Sequence, residues 1–311
     1  MTIKQLTSAI IEAACDLWRR GDIVAIPTET VYGLAADAEQ DAAVAKIFTV
    51  KGRSQFNPLI LHVSSLEQLA DYVEVTPLLA KAAAAFWPGP LTLVLKRKSG
   101  AKLSYLVTAG LDSVAVRLPA HPIAQELIQA YGKPLAAPSA NKSNSISPTS
   151  AEDVVASLGN DVPLIIDGGQ TRIGLESTIV DLTSETSTIL RPGGVTFEDL
   201  NKVFGQMRYA EVGAAITAPG MLKRHYAPSI PMRLNVLEKQ ANEVMLGFGN
   251  VEGDLNLSEQ GDLGEAAANL FRMMRLLDNP VNRAIAVAPI PYWGLGIAIN
   301  DRLSRAATRE I

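Results

Sequence analysis

Hydrophobic residues near the N-terminus recur at the spacing of an amphipathic helix. Leu6, Ile10 and Leu17 fall on one helical face, which predicts a helix over residues 6–20. Gly21 follows this segment and is a typical helix stop signal. The chain therefore begins its folded part with a helix that covers one side of a core.

The pattern then changes from helical spacing to short apolar runs. The run at residues 23–26 predicts a buried strand that Pro27 ends, and the polar residues 28–34 predict a loop at the carboxyl end of that strand. Open α/β sheets tend to bind ligands at this edge. We therefore expect the loop to contribute to a binding site.

The same two patterns continue in an irregular order up to about residue 210. Further strands are predicted at 59–63, 91–96, 114–118, 135–137, 164–169 and 177–182, and the last segment of this part at 189–194. Further helices are predicted at 41–50, 65–72, 76–86 and 121–131. Strands outnumber clear strand–helix alternations, so the fold class is α/β with a mixed sheet rather than a purely parallel one.

The C-terminal third has a different character. Residues 211–231 contain two segments punctuated by proline and predict a linker. Beyond them, strands at 232–237, 244–248 and 284–288 and helices at 263–278 and 294–308 predict a small three-layer α/β domain. The predicted organisation is thus a first domain over 1–210, a linker over 211–231 and a second domain over 232–311.

Composition narrows the class of protein. The chain has 311 residues, of which 48% are hydrophobic, which is enough for two cores. It has no apolar run long enough to span a membrane and no secretory leader, so we expect a cytoplasmic protein without membrane contact. The single cysteine, Cys15, lies at helical spacing with Trp18 and is interpreted as a core residue. The net charge of −4 argues against a basic nucleic-acid-binding domain.

Residues 51–62 are the segment richest in chemistry. Lys51 and Arg53 lie close to Asn57 in a turn, and His62 follows in the next predicted strand. Lysine binds phosphate as a point charge and arginine as a planar fork. A solvated loop and a satisfied strand histidine are the plain alternatives for a segment of this kind.

Three other polar turns, like the 51–57 turn, are predicted to follow apolar strands. They are Thr28 to Thr30, Ser139 to Asn141, and Ser177 with Thr178. A hydroxyl at a turn usually caps the local backbone, so one such turn is a weak signal. Their recurrence together with Arg117 and Arg191 indicates a local anion site, because arginine is seldom buried without a partner.

The spaced motifs resemble the YrdC-type domain of the threonylcarbamoyl-AMP synthase family. The resemblance rests on the following segments: Pro27-Thr28-Glu29-Thr30-Val31-Tyr32-Gly33-Leu34, Lys51-x-Arg53, Asn57-Pro58-Leu59, His62-Val63, Ser139-x-Asn141 and Leu190-Arg191-Pro192-Gly193. Residues 211–311, with Pro219-Gly220-Met221 and Arg224-His225-Tyr226-Ala227-Pro228, resemble the longer members that add a linker and a C-terminal domain. The implied fold is a YrdC-like open, twisted mixed sheet with helices, followed by a small Rossmann-like domain.

The resemblance implies a reaction and its partners. L-Threonine, bicarbonate or carbon dioxide, and ATP would give threonylcarbamoyl-AMP and pyrophosphate, with Mg²⁺ carried in on the ATP. The product would pass to a tRNA threonylcarbamoyl transferase complex that modifies position 37 of ANN-decoding tRNAs, with at most a weak contact between this chain and RNA. Such chemistry depends on positioning and on fixed cations rather than on a covalent intermediate.

The resemblance also assigns roles to residues of this chain. The catalytic residues would be Lys51 and Arg53. ATP contacts would fall on Lys51, Arg53, Asn57, Ser113, Ser139, Asn141, Ser147, Arg191 and Tyr226. Threonine contacts would fall on Thr30, His62, Arg117, the backbone at Ala137, and Ser177. No metal site built by the protein is expected.

Two features of the resemblance concern flexibility. Tyr226 would reach back over the nucleotide and make the 211–231 segment a lid, although a tyrosine there can equally staple two domains together. Ser54 stands where many relatives carry proline, which removes a constraint on the turn after Arg53.

Two other functions compete with this hypothesis. An RNA-binding module would use the cationic residues for phosphate contacts, which the net charge disfavours. A carbamoyl transferase of hydrogenase maturation uses a related domain, but that protein also carries a zinc-finger segment. With Cys15 as its one cysteine, this chain has no cysteine-based zinc site.

Overall fold

The computed structural model describes residues 2–211, 217–220 and 224–308. Met221, which belongs to the predicted linker motif, and several other positions of the 211–231 segment therefore lie outside the described residues.

Within these ranges the chain forms short strands and mostly short helices. The strands are β1 (Thr2–Gln5), β2 (Val24–Ile26), β3 (Gly33–Asp37), β4 (Ile60–His62), β5 (Leu91–Lys96), β6 (Ser113–Arg117), β7 (Leu135–Ala136), β8 (Leu164–Asp167), β9 (Thr178–Asp181), β10 (Thr188–Arg191), β11 (Arg208–Tyr209), β12 (Met232–Arg233), β13 (Glu243–Gly247), β14 (Leu255–Asn256) and β15 (Ala284–Val287). The helices are α1 (Ser8–Arg19), α2 (Asp41–Lys51), α3 (Leu66–Leu69), α4 (Pro77–Phe86), α5 (Tyr105–Thr108), α6 (Pro122–Tyr131), α7 (Ala151–Leu158), α8 (Phe197–Phe204), α9 (Leu263–Leu277) and α10 (Leu295–Ala307).

The first eleven strands form one mixed sheet. Their order is β1-β8-β2-β3-β7-β4-β6-β5-β9-β10-β11. Parallel pairs such as β4 with β6 alternate with antiparallel pairs such as β2 with β3 and β4 with β7. The prediction of a mixed α/β sheet is confirmed.

Buried residues lie on both faces of this sheet. On one face, α1 and α6 pack against β2 and β8 around Trp18, which is fully buried and donates its indole N–H to the Ala35 carbonyl at 3.0 Å. On the other face, a larger apolar cluster includes Ile47 of α2 and Leu79 of α4. Cys15 belongs to the first cluster, which confirms its interpretation as a core residue.

The sequence patterns missed or misplaced several elements. Residues 28–34 were predicted as a loop, but Gly33 and Leu34 begin β3. This strand is Gly-Leu-Ala-Ala-Asp and lacks the β-branched residues that mark strands. Helix α7 also escaped the prediction, although Ser150 and Asp153 form a capping box at its start.

The second sheet lies in the C-terminal third. It has the order β12-β15-β13-β14, and all of its pairs are parallel. Helices α9 and α10 pack against it and against each other. Gly294 is the N-cap residue of α10, which agrees with the helix predicted over 294–308.

The core of the second sheet continues into the first part of the chain. Phe271 and Leu270 of α9 share one buried cluster with Val31, Ile146 and Leu175. The C-terminal third therefore packs beside the loops that follow β2 and precede β9. Among the described helices, none has both the length and the apolar character required to cross a membrane.

The buried position of Trp18 gives a test of the fold. We expect Trp18→Ala to lower the free energy of unfolding by about 3–5 kcal/mol, because it removes a large side chain from a packed core. Trp293→Ala is the control, since Trp293 is 64% exposed and its loss is expected to change stability by less than about 0.5 kcal/mol. Urea unfolding followed by circular dichroism measures both, and equal destabilisation of the two variants would contradict the packing described here.

Candidate functional site

One cavity brings together loops from both parts of the chain. Its walls come from the Thr28–Gly33 region, from β4, from the loop after β7, and from residues on either side of β9 and β10. Ile60 and His62 both line it and lie two residues apart on β4, so they project from the same face of the sheet. The cavity thus lies over a face of the sheet rather than only at the carboxyl ends of its strands.

This placement corrects the expectation that four polar turns follow strands. The turn at 51–57 follows helix α2 and precedes β4, and Ser177 immediately precedes β9. β4 and β7 are antiparallel, so their carboxyl ends lie at opposite edges. His62 and Ala137 nevertheless line one cavity because both strands are short.

Arg117 is held by three protein groups at the end of β6. Its Nη2 lies 2.7 Å from Glu29 Oε1, its Nη1 donates to Thr30 Oγ1 at 2.9 Å, and its Nε donates to the Gly89 carbonyl at 3.2 Å. Burial works to raise the pKa of Glu29, but the Arg117 guanidinium and the backbone N–H groups of Glu29 and Ala120 together outweigh it and leave this pKa below its ordinary value. Both groups of the pair are therefore charged.

A guanidinium has five N–H groups, and the hydrogen bonds to Thr30 and Gly89 use two of those of Arg117. Its Nη2 is ion-paired with Glu29 but makes no hydrogen bond among the described residues. Arg117 lines the cavity, as does Thr30. The Thr30 hydroxyl also lies 2.8 Å from that of Thr28. The end of β6 and the loop after β2 thus present positive charge and hydroxyl groups on one wall.

His62 lies next to Arg117, since β4 and β6 pair His62 with Arg117 in register. Its Nδ1 is 3.2 Å from the Ile60 carbonyl, which can only accept a hydrogen bond. In the neutral ring, Nδ1 then carries the proton and Nε2 is an acceptor. Burial, helped by the charge of Arg117, lowers the pKa of His62 to about 3, so the ring is neutral near pH 7.

Arg191 forms a second cationic wall at the end of β10. Its Nη2 donates to the Ser177 carbonyl at 2.8 Å and its Nε to the same carbonyl at 3.2 Å. Gly220 packs directly on it: a Cβ at position 220 would lie 2.8 Å from the Arg191 side chain. Gly220 also has φ of +81°, so this close approach requires glycine.

Tyr226 and Glu176 complete the wall opposite β4. Tyr226 is 1% exposed and has a left-handed backbone with φ of 62°. The Glu176 carboxylate accepts from the Ser147 hydroxyl at 2.5 Å and from Arg302 Nε at 2.7 Å. Burial works to raise the pKa of Glu176, but Arg302 and Arg191 outweigh burial and lower it.

The two cations of the 51–57 turn face different ways. Arg53 lines the cavity and donates to the carbonyls of Asn57 and Pro58 at 3.2 and 2.9 Å. Burial lowers its pKa to about 10, which leaves it charged near pH 7. The Lys51 ammonium donates instead to the carbonyls of Ser139 and Asn141, and burial sets its pKa well below the ordinary value.

The sequence-predicted site residues divide into two groups. Those that line the cavity are Thr30, Arg53, His62, Arg117, Ala137, Ser139, Ser177, Arg191 and Tyr226. Those outside its lining are Lys51, Asn57, Ser113, Asn141 and Ser147. The amide of Asn141 donates to the Lys142 and Ser145 carbonyls at 2.8 and 2.9 Å, so it shapes the loop after β7.

Sequence reasoning assigned no role to Glu29, Glu176, His225 or Arg302. Glu29, the ion-pair partner of Arg117, lies 88 positions earlier in the chain. The signal available for Glu29 was its place in the Pro27 to Leu34 motif. No local pattern links Glu176 with Arg302, because their pairing depends on how the two sheets pack.

In the part of the chain that the structure describes, no group of three or more histidine, cysteine or acidic side chains is placed to hold a metal ion. Of the carboxylates at the cavity, Glu29 and Glu176 are each paired with an arginine.

Comparisons with known proteins decide the family. A model of the Sua5, YciO and YrdC proteins, described as "Telomere recombination", matches residues 16–193. A second model, described as "Threonylcarbamoyl-AMP synthase, C-terminal domain", matches residues 195–308. This chain belongs to the threonylcarbamoyl-AMP synthase family.

Individual members of the family are similar to this chain over nearly its whole length. The threonylcarbamoyl-AMP synthase of Pyrococcus abyssi is 41% identical over 97% of this chain and 95% of its own length. That of Bacillus subtilis is 38% identical over 96% of this chain and 92% of its own length. The crystal structure of P. abyssi Sua5 complexed with L-threonine superposes with a TM-score of 0.89 at 39% identity and covers 98% of this chain and 96% of that chain.

These findings confirm two predictions. The chain is an enzyme, a nucleotidyltransferase of the threonylcarbamoyl-AMP synthase family, and its fold is the one shared by that family. They therefore favour the enzyme over the RNA-binding module as the description of this chain.

The burial of the histidines gives a test of the site's electrostatics. The chain has three histidines, and burial lowers the pKa of His62 and of His225 to about 3. We therefore expect neither ring to take up a proton between roughly pH 5 and 8 in the folded protein. Histidine ring shifts measured by NMR, assigned with His62→Gln, provide the measurement.

The unfolded chain protonates these rings near pH 6.5, so it binds more protons than the folded state at lower pH. Their contribution to stability is complete above about pH 6.5 and declines as the pH falls towards 3. A His62 midpoint near 6.5 in the folded protein would contradict the environment described.

Proposed function

We propose that this chain catalyses the ATP-dependent synthesis of L-threonylcarbamoyladenylate from L-threonine, bicarbonate or CO2, and ATP, with release of pyrophosphate. The product would serve threonylcarbamoyladenosine formation at position 37 of ANN-decoding tRNAs, after transfer by a separate complex. One observation carries the proposal: a single buried cavity joins Thr30, His62 and Arg117 to the two further guanidinium groups of Arg53 and Arg191. The threonine complex of the P. abyssi relative supports the amino-acid part.

Threonine would bind at the wall formed by β4, β6 and the loop after β2. The Arg117 guanidinium can bind the threonine carboxylate through N–H groups that make no hydrogen bond to the protein, while its contacts with Glu29, Thr30 and Gly89 fix its position. Ser177 and Thr30 would contact the threonine side chain. The Ser177 hydroxyl lies 2.7 Å from that of Thr92. The Ala137 backbone borders the same space.

His62 would orient the amino group of threonine rather than remove its proton. Its Nε2 is a neutral acceptor, and a group with a pKa of about 3 is too weak a base to deprotonate an ammonium near pH 7. The neutral amine attacks CO2 to form a carbamate and releases one proton. A carbamate oxygen then attacks the α-phosphorus of ATP, and pyrophosphate leaves.

Arg53 and Arg191 would bind and stabilise the phosphates during this displacement. Both are bonded to carbonyl oxygens, which are neutral, so their positive charge is not cancelled by those contacts. Fixed cations in a buried site stabilise charge that develops in the transition state. Lys51, Asn57, Ser113, Ser139, Asn141 and Ser147 remain predicted ATP contacts, and Lys51 also holds the loop of Ser139 in place.

The proposed roles of the three segments follow the predicted domain boundaries. Residues 1–210 would form the catalytic domain, 211–231 the linker and lid, and 232–311 the C-terminal domain. Within the lid, Pro219, Gly220, His225 and Tyr226 line the cavity, which supports its closing role. Mg²⁺ would arrive with ATP and keep most of its waters, because Glu29 and Glu176 are already paired.

Product formation is the direct test of this proposal. The full chain incubated with L-threonine, bicarbonate and ATP is expected to give threonylcarbamoyl-AMP, identified by mass spectrometry, and an equal amount of pyrophosphate. Leaving out threonine or bicarbonate is expected to abolish both products. ATP turnover without threonylcarbamoyl-AMP would refute the proposed reaction.

Arg53 provides a test of the phosphate-binding wall. We expect Arg53→Ala to lower kcat/KM by a factor that corresponds to about 1–4 kcal/mol of transition-state stabilisation, because a charge-assisted contact is lost. Lys96→Ala is the matched control: Lys96 is also cationic but is exposed at the end of β5. Steady-state kinetics with ATP varied measures both, and wild-type kinetics for Arg53→Ala would rule out this role.

A further inference from the structure

Arg302 connects the C-terminal part of the chain with the wall of the cavity. It lies on α10, yet its side chain is fully buried and reaches the cavity wall of the catalytic part. Its Nε donates to Glu176 Oε2 at 2.7 Å and its Nη2 to the Pro192 carbonyl at 2.9 Å. Nη1 pairs with its neighbour Asp301 at 2.6 Å. The contacts with Glu176 and Pro192 cross between the two parts of the chain.

The Arg302 guanidinium also lies over the ring of Tyr226, 5.1 Å from its centroid. Phe271 of α9 stacks on the same tyrosine at 5.4 Å between centroids. Tyr226 has a left-handed backbone, which non-glycine residues seldom adopt without support from their surroundings. Two side chains of the C-terminal part therefore fix the ring where it borders the cavity.

Arg302 has a second role, which concerns the charge of Glu176. Its carboxylate lines the same cavity as Arg53 and Arg191, where phosphate is proposed to bind, and an unpaired carboxylate would repel phosphate. Arg302 neutralises it through an ion pair that is almost completely buried. The second Glu176 oxygen accepts from Ser147, a predicted ATP contact.

We propose that Arg302 is a positioning residue through which the C-terminal domain holds Tyr226 and neutralises Glu176 at the nucleotide side of the cavity. It acts through these two residues and is not itself a catalytic residue. The inference rests on the proposed function for the identity of the nucleotide. Among the described residues, Arg302 contacts Glu176, Asp301, Pro192 and Tyr226 but not the proposed threonine wall, so we expect its loss to affect ATP rather than threonine.

The test compares two arginines that both tie the C-terminal helices to the catalytic part. Arg302→Met removes the charge and the contact over the ring while keeping a long side chain. Arg275→Met is the control, because Arg275 of α9 pairs with Asp153 at 3.0 Å and does not line the cavity. It donates to the backbone carbonyls of Ile146 and Ser147 at 3.0 and 3.4 Å, and not to the Ser147 hydroxyl that bonds to Glu176.

We expect Arg302→Met to raise the Kd and KM for ATP about tenfold or more, while the KM for threonine changes less than about threefold. We expect Arg275→Met to change the ATP values less than about twofold. Equal ATP affinity of Arg302→Met and wild type, or an equal loss in Arg275→Met, would overturn the proposal.

A double-mutant cycle tests whether Arg302 acts through Tyr226. In a Tyr226→Leu background, Arg302→Met is expected to weaken ATP binding by clearly less than in the wild type, because the ring that it holds is already gone. If each substitution weakens ATP binding by the same factor with or without the other, this mechanism is overturned. Combining Arg302→Met with Glu176→Gln is expected to restore part of the ATP affinity, since no unpaired carboxylate remains.

Arg302→Lys keeps the proposal testable if Arg302→Met does not fold. Lysine retains the charge beside Glu176 but cannot lie flat on the ring, so a loss of about three- to tenfold in ATP affinity is expected. Wild-type affinity of this variant would overturn the proposal. Calorimetric ATP binding to the full chain does not require product formation, so Arg302-dependent ATP binding without any threonylcarbamoyl-AMP would contradict the proposed reaction alone.

Discussion

The ion pair between Glu29 and Arg117 is the interaction on which the geometry of the cavity depends. Both side chains are almost completely buried, so removing either would leave an uncompensated charge, at a cost of about 3–5 kcal/mol. The pair joins the loop after β2 to the end of β6, and Arg117 in turn fixes Thr30. His62 is in register with Arg117 on the neighbouring strand, so this ion pair lies at the centre of the proposed threonine wall.

The arginines of the site are held by two different kinds of partner. Arg117 and Arg302 are paired with carboxylates, so their charge is cancelled locally. Arg53 and Arg191 are held by carbonyl oxygens, which orient a guanidinium without neutralising it. Charges are consequently balanced on the side of the cavity near β6, whereas the side near β10 carries uncancelled positive charge. This division matches one carboxylate of an amino acid on the first side and a chain of phosphates on the second.

Sequence patterns predicted the parts of the molecule that depend on local periodicity and on spaced motifs. The mixed sheet, helices α1, α2, α9 and α10, and the residues of several motifs were accessible in this way. Strand β3 was missed because its alanines give no strand signal, and the partner of Arg117 was missed because the pairing spans 88 positions. The direction of the Lys51 side chain could not be predicted either. Whether an ammonium meets a ligand or a backbone carbonyl depends on how the loop after β7 folds over it.

The apolar cluster shared by Phe271, Leu270, Val31, Ile146 and Leu175 has a consequence for how the protein can be divided. The two family models meet between residues 193 and 195, which invites a cut near that point. A fragment cut there would leave Val31, Ile146 and Leu175 without the apolar surface that covers them. The boundary between the two family models therefore does not coincide with a boundary in the packing, because one apolar cluster crosses it.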